Sequence, residues 1–142
     1  MTPPFTGGCR CGAVRFSLPT APIATRLCWC RDCQYFSAGN ASANAIFRTE
    51  GMTLTGAPAA YESPADSGNL LRRRFCGACG TPLFSEAVVR PGMMVVRLGT
   101  LDDAAGLRPE SIIWAKSAPV WACFDPALPR AEGQGPAPGA KA

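Results

Sequence analysis

At 142 residues the chain suits one domain with a hydrophobic core and is short for two. Its 47% hydrophobic content is that of a globular protein, while 15 Gly and 14 Pro exclude a helical bundle and favour short strands joined by turns. The formal charge of +4 is modest, no segment approaches the roughly 18 apolar residues of a membrane span, and the opening MTPPFTGG lacks a basic stretch followed by an apolar run, so a cytoplasmic protein without a signal peptide is expected.

In chain order, Gly8-Cys9-Arg10-Cys11-Gly12 precedes the first predicted strand, Ala13 to Leu18, which alternates apolar and polar residues as a half-buried strand does. Cys28-Trp29-Cys30-Arg31-Asp32-Cys33 then places three thiols close together, and its second half predicts a short helical turn through Gln34-Tyr35-Phe36. Asn44 to Phe47, Met52 to Thr55, Ala59 to Glu62, Leu70 to Phe75 and Met93 to Leu98 read as further short strands separated by Gly, Pro, Ser and Asn turns. The expected architecture is therefore mainly β, antiparallel, with very little helix, as one domain over residues 1–130. The Gly- and Pro-containing stretch from Ala131 to Ala142, which has no aromatic residue, is expected to be a disordered tail. In a strand Arg72, Arg73 and Arg74 alternate between faces, so they cannot form one nucleic-acid patch, and they are expected to be solvated or to balance thiolates beside Cys76. Trp114 and Trp121 are expected in the core or a pocket wall.

The chemistry lies in the cysteines. There are eight, Cys9, Cys11, Cys28, Cys30, Cys33, Cys76, Cys79 and Cys123, and no histidine. Seven of them are clustered, and neighbours in C-x-C and C-x-x-C are poorly placed to bridge a fold, which argues against a disulfide scaffold. A thioredoxin-like pair would need a βαβ context, whereas Pro82 and the glycines around Cys76-Gly77-Ala78-Cys79-Gly80 indicate turns. Tight turns that present several thiols converge on a tetrahedral metal, with zinc the default. The Cys76/Cys79 knuckle supplies two ligands and needs two more, and Cys9/Cys11 form the second natural pair. Cys28, Cys30 and Cys33 leave a tetrahedral metal one position short; structural zinc sites are closed by four protein ligands, while catalytic ones keep one open. Cys123 either folds back to close that site or is a lone buried thiol acting as a small apolar side chain. With a four-thiolate zinc near −2 and a three-thiolate zinc near −1, the net charge falls close to +1, so basicity gives little support for a polyanionic partner.

Taken together, G-G-C-R-C-G-A-V-R-F at Gly7 to Phe16, C-W-C-R-D-C at Cys28 to Cys33 and R-F-C-G-A-C-G-T-P-L-F at Arg74 to Phe84 resemble the glutathione-dependent formaldehyde-activating enzyme family. Gly99-Thr100-Leu101-Asp102-Asp103, the Lys116 to Trp121 segment and Leu128-Pro129 continue the resemblance in order. It implies a β-tent-like fold and two zinc ions, with Cys9, Cys11, Cys76 and Cys79 holding a structural zinc and Cys28, Cys30 and Cys33 a catalytic one. It also implies a carbon-sulfur lyase that joins glutathione and formaldehyde reversibly as S-hydroxymethylglutathione, or acts on a related small thiol. The chain departs from the family at Trp29, where members commonly carry His. Without any histidine, proton transfer would fall to metal-bound water, solvent or a carboxylate such as Asp32, a residue that equally suits turn capping. The alternative function is a non-catalytic two-zinc module that contacts protein or nucleic acid; the chain's short length and the absence of a long basic extension favour the enzyme.

Overall fold

The computed structural model describes residues 2–138. Short segments form strands β1 (Phe5–Gly8), β2 (Arg15–Leu18), β3 (Ala24–Cys28), β4 (Ser42–Arg48), β5 (Thr53–Thr55), β6 (Ala59–Pro64), β7 (Leu70–Phe75), β8 (Pro82–Ala87), β9 (Met93–Arg97) and β10 (Ser111–Ile113). One short helix, α1 (Arg31–Phe36), follows β3. The strands make a three-stranded sheet ordered β1-β2-β5 and a seven-stranded sheet ordered β10-β3-β4-β9-β8-β7-β6. The fold is mainly β, as expected. Its pairing is antiparallel except at one edge, where β10 lies parallel to β3.

Sequence periodicity did not reveal β1, β3, β8 or β10. The first ends in two glycines, β8 opens on Pro82 and β10 has three residues. Proline is tolerated at the first position of a strand, and a strand this short exists only because a neighbour pairs with it.

The core lies between the sheets. Phe5, Val14, Phe16 and Leu18 pack with Ala45, Phe47, Leu83, Phe84, Met94 and Val96 in one buried cluster. Phe16 meets Phe84 edge-on with ring centroids 5.2 Å apart, and Phe5 meets Phe47 at 5.6 Å. Alternation then assigns the other side of the large sheet. With Ala45, Phe47 and Val96 turned into the core, Asn44, Ile46, Val95 and Arg97 face the opposite surface and line a pocket.

The segment after β10 closes one side of that pocket. Ala131 donates its N–H to Ile112 at 2.9 Å, Trp114 donates to Gly133 at 2.8 Å, and the indole Nε1 of Trp114 donates to Gln134 Oε1 at 2.8 Å. Residues 131–134, the start of the stretch expected to be a disordered tail, therefore run along Ile112 to Lys116, because the exposed backbone at that sheet edge offers hydrogen-bonding partners. The last four residues lie outside the described ones. No helix among the described residues is long and apolar enough to cross a membrane.

Candidate metal centres

Two turns meet at the first cluster. The Cys9 N–H donates to the Val14 carbonyl at 3.0 Å and the Gly12 N–H to the Cys9 carbonyl at 3.2 Å, which folds the C-x-C segment back on itself. The facing knuckle is closed by Gly80 N–H to Cys76 O at 2.8 Å and Cys76 N–H to Thr81 O at 3.0 Å. Gly12 and Gly80 both sit at positive φ, 82° and 78°, where a side chain would be strained. The Arg10 N–H donates across to Thr81 Oγ1 at 3.1 Å and joins the two turns.

This brings the sulfurs of Cys9, Cys11, Cys76 and Cys79 within 4.8 Å of one another. Cys9 and Cys11 sulfurs are 3.6 Å apart and those of Cys11 and Cys76 are 3.7 Å apart. A tetrahedron with metal–sulfur bonds of about 2.3 Å has edges of about 3.8 Å, so the donor set fits one tetrahedral ion. The Cys9 sulfur accepts the Val14 N–H at 3.2 Å, and the Thr81 hydroxyl at 3.1 Å from the Cys79 sulfur draws that thiol's pKa down to about 5. Both contacts favour the thiolate that a metal needs.

The second cluster is set by the end of β3 and the start of α1. Trp29 donates its N–H to the Ile113 carbonyl at 3.1 Å, and the Gln34 amide donates to Trp29 O at 2.7 Å and to Ser117 O at 2.9 Å. The Cys30 sulfur sits at the N-cap of α1 and accepts the Cys33 N–H at 3.4 Å. Cys28, Cys30 and Cys33 are all buried, with sulfurs within 4.8 Å of one another. Hydrogen bonds from Cys28 and Cys30 hold the Cys33 thiol well below its ordinary value, while Cys30, Cys33 and burial push Cys28 up. Three sulfurs so placed fit three corners of a metal site. All three line a pocket of about 130 Å³ on the outer face of the large sheet, room for several water-sized groups where one needs roughly 10–15 Å³.

Cys123 does not join them. It is exposed, with its sulfur 3.9 Å from the Trp121 carbonyl, and among the described residues it belongs to neither thiol group. The sequence left open a fourth ligand or a buried apolar thiol, and the structure shows neither. Trp121 is likewise 60% exposed rather than enclosed. Trp29 is buried and faces away from the pocket, packing against Trp121 and Phe124 with ring centroids 6.4 and 5.8 Å away; among the described residues its Nε1 has no hydrogen-bond partner. Trp114, partly buried, is a pocket wall as expected.

The arginine run divides differently from expectation. Arg72 pairs with Glu62 at 2.9 Å, and Glu86 takes Arg72 at 3.4 Å and Arg74 at 3.7 Å. Arg73 between them is 4% exposed and points to the Cys28 cluster's pocket, not to Cys76. It donates to Asp32 Oδ2 at 3.4 Å and Ser63 Oγ at 2.9 Å and lies 5.1 Å from the Phe36 ring centroid, so it clamps α1 onto β7. Asp32 is thus an ion-pair partner in the first turn of α1. Arg26, Asn44 and Arg97 also line the pocket. No local spacing marks them, because register between strands distant in sequence brings them together.

A family model described as glutathione-dependent formaldehyde-activating enzyme matches residues 4–117, well over half of the chain. Among solved structures, a Rhodobacter sphaeroides protein is similar in fold, with a TM-score of 0.55 at 22% identity over 73% of this chain and 91% of that one. No curated protein matches the chain.

Proposed function

We propose, for a chain that belongs to the glutathione-dependent formaldehyde-activating enzyme family, that Cys28, Cys30 and Cys33 hold a catalytic zinc and that the protein makes and breaks the carbon-sulfur bond of a glutathione–aldehyde adduct of the S-hydroxymethylglutathione type. In the same reading Cys9, Cys11, Cys76 and Cys79 hold a structural zinc. The observation that carries it is the inequality of the clusters: three buried thiols open on a pocket, and no fourth Cys, His, Asp or Glu among the described residues joins them. When bound, zinc supplies Lewis acidity and keeps a thiol ligand as thiolate.

The chain's own residues do the rest. Ile113 and Trp114 wall the thiol end of the pocket with apolar surface, Arg73 fixes the helix that carries Cys33, and Gln34 fixes the Trp29 turn between Cys28 and Cys30. In the forward direction a bond forms between the thiol sulfur and the aldehyde carbon, and the thiol proton ends on the former carbonyl oxygen; the reverse breaks the same bond. No oxidant is required. With no histidine in the chain, that proton passes through solvent or a pocket carboxylate, of which Asp66 is exposed at the rim. A reducing cytoplasm, where unpaired thiols persist, is the matching compartment.

The test is formaldehyde–glutathione exchange at equilibrium, followed by NMR with and without the zinc-loaded protein. Faster exchange is expected. Unchanged exchange eliminates the named adduct.

A further inference from the structure

Apart from the thiols, the pocket carries an unusual row of side chains. Arg26 on β3 is paired with Asn44 on β4, and Asn44 in turn with Arg97 on β9, so two guanidiniums flank one amide across three adjacent strands. All three residues line the pocket. Side chains on one face of a strand recur every second residue, about 7 Å apart, and Cys28 is the next pocket-facing position along β3 from Arg26. The row therefore lies one strand step from the thiol cluster.

Among the described residues neither arginine is matched by an acid. Arg97 donates to the Asn44 side-chain oxygen and Arg26 to the Pro136 carbonyl at 3.4 Å, both neutral acceptors. Among the described residues the ion pairs use Arg15, Arg72, Arg73 and Arg74, and no carboxylate reaches Arg26 or Arg97. A guanidinium has five N–H donors in a planar fork, so most of this capacity is unused beside a cavity.

The pocket's other charges are already balanced. Arg73 has Asp32, Glu86 has Arg72 and Arg74, and the exposed Arg90 and Asp66 on the rim are opposite in sign. Three thiolates with a divalent ion carry about one negative charge. A thiolate bound as the fourth ligand brings the site to about −2, which Arg26 and Arg97 offset, so one added carboxylate leaves a smaller residual charge than a phosphate dianion would.

The geometry points to a carboxylate-binding subsite made by Arg26 and Arg97 across Asn44, which selects thiols that carry a carboxylate over neutral thiols. It rests on the reading of the Cys28 cluster as the place where a thiol ligand binds.

Calorimetric titration of the zinc-loaded protein with 3-mercaptopropionate and its neutral isostere 3-mercaptopropionamide tests it without any variant. The acid is expected to bind at least about tenfold tighter, as charge-assisted hydrogen bonds do relative to neutral ones. Arg26→Met and Arg97→Met should each cut that preference to below about threefold, with amide affinity within about twofold of wild type. Equal affinity of wild type for the two thiols overturns the subsite. So does a preference that survives in an Arg26→Met/Arg97→Met protein with a native circular dichroism spectrum. Propionate and propionamide, compared by NMR shift perturbation, separate the two readings. If neither thiol binds but propionate is preferred, the thiol reading fails and the subsite stands; if propionate shows no preference either, both fail.

Discussion

The two thiol clusters are built from the same local device, cysteines two or three residues apart in a tight turn, and they differ in what surrounds them. At Cys9, Cys11, Cys76 and Cys79, two turns from opposite parts of the chain complete each other, and two of the four thiols, Cys11 and Cys79, are exposed. At Cys28, Cys30 and Cys33 a single segment supplies every thiol, all are buried, and the open side is a pocket with arginines. A cluster that bridges distant segments contributes to folding, whereas one held within a single segment contributes less and is free to keep a vacant corner for chemistry. That difference predicts unequal responses to damage.

The largest effect is expected at the bridging cluster. Cys76→Ser removes one of the four thiols through which the β1–β2 hairpin meets the β7–β8 turn, and on the proposed structural-zinc reading should cost more than about 4 kcal/mol, since structural zinc contributes folding free energy directly. Urea unfolding with metal analysis should show a lost ion and a collapsed midpoint; a native-like midpoint would break the comparison. Cys28→Ser should also lower the metal content from two ions to one, but with a smaller stability loss of about 1–3 kcal/mol and loss of the protein-dependent acceleration of exchange in the NMR assay.

A smaller effect concerns the surroundings of the first cluster. Asp102 accepts from Arg15 at 2.5 and 2.9 Å and from Thr6 at 2.7 Å, which fastens the hairpin that leads into Cys9. The Arg15 guanidinium holds the Asp102 carboxyl down to about 2. A depressed carboxyl pKa stabilises the fold above its unfolded value near 4, and that contribution is lost as pH falls from about 4 to about 2. Because both side chains are nearly half exposed, solvent screening limits the effect to about 0.2–1 kcal/mol. Wild type and Asp102→Asn should differ by that amount in urea melts at neutral pH and converge near pH 2. The smallest change is expected for Cys123→Ser. Its stability should stay within about 0.5 kcal/mol of wild type, with the average sulfur coordination seen by zinc-edge absorption unchanged. Loss of one sulfur would show Cys123 to be a ligand and remove the vacant corner from the second cluster.

Much of this was legible before any coordinates. The pairing of Cys9/Cys11 with Cys76/Cys79 followed from ligand count, and the three-thiol group stood out as incomplete for the same reason. The alternating strand Arg15–Leu18 and strands set between turn residues, such as Leu70–Phe75 and Met93–Arg97, were found, whereas Ser111–Ile113 and Phe5–Gly8 were not, since their extension depends on a partner strand. Arg73 was visible only as part of a charged run. Its neighbours Arg72 and Arg74 take the surface acids, and strand alternation turns Arg73 inward, but which site waits there is a matter of sheet order.

What the sequence by itself determined is the local chemistry: which thiols lie close enough in a turn to share an ion, and which group lacks a fourth member. Such proximity needs only a few bonds of backbone. Only the tertiary structure decided that Cys123 stands apart, that Trp29 points away from the pocket, and that Arg26, Asn44 and Arg97 stand in one row beside the open thiols. Those three come from strands joined by long connections, and their alignment depends on cross-strand register, which no spacing along the chain encodes.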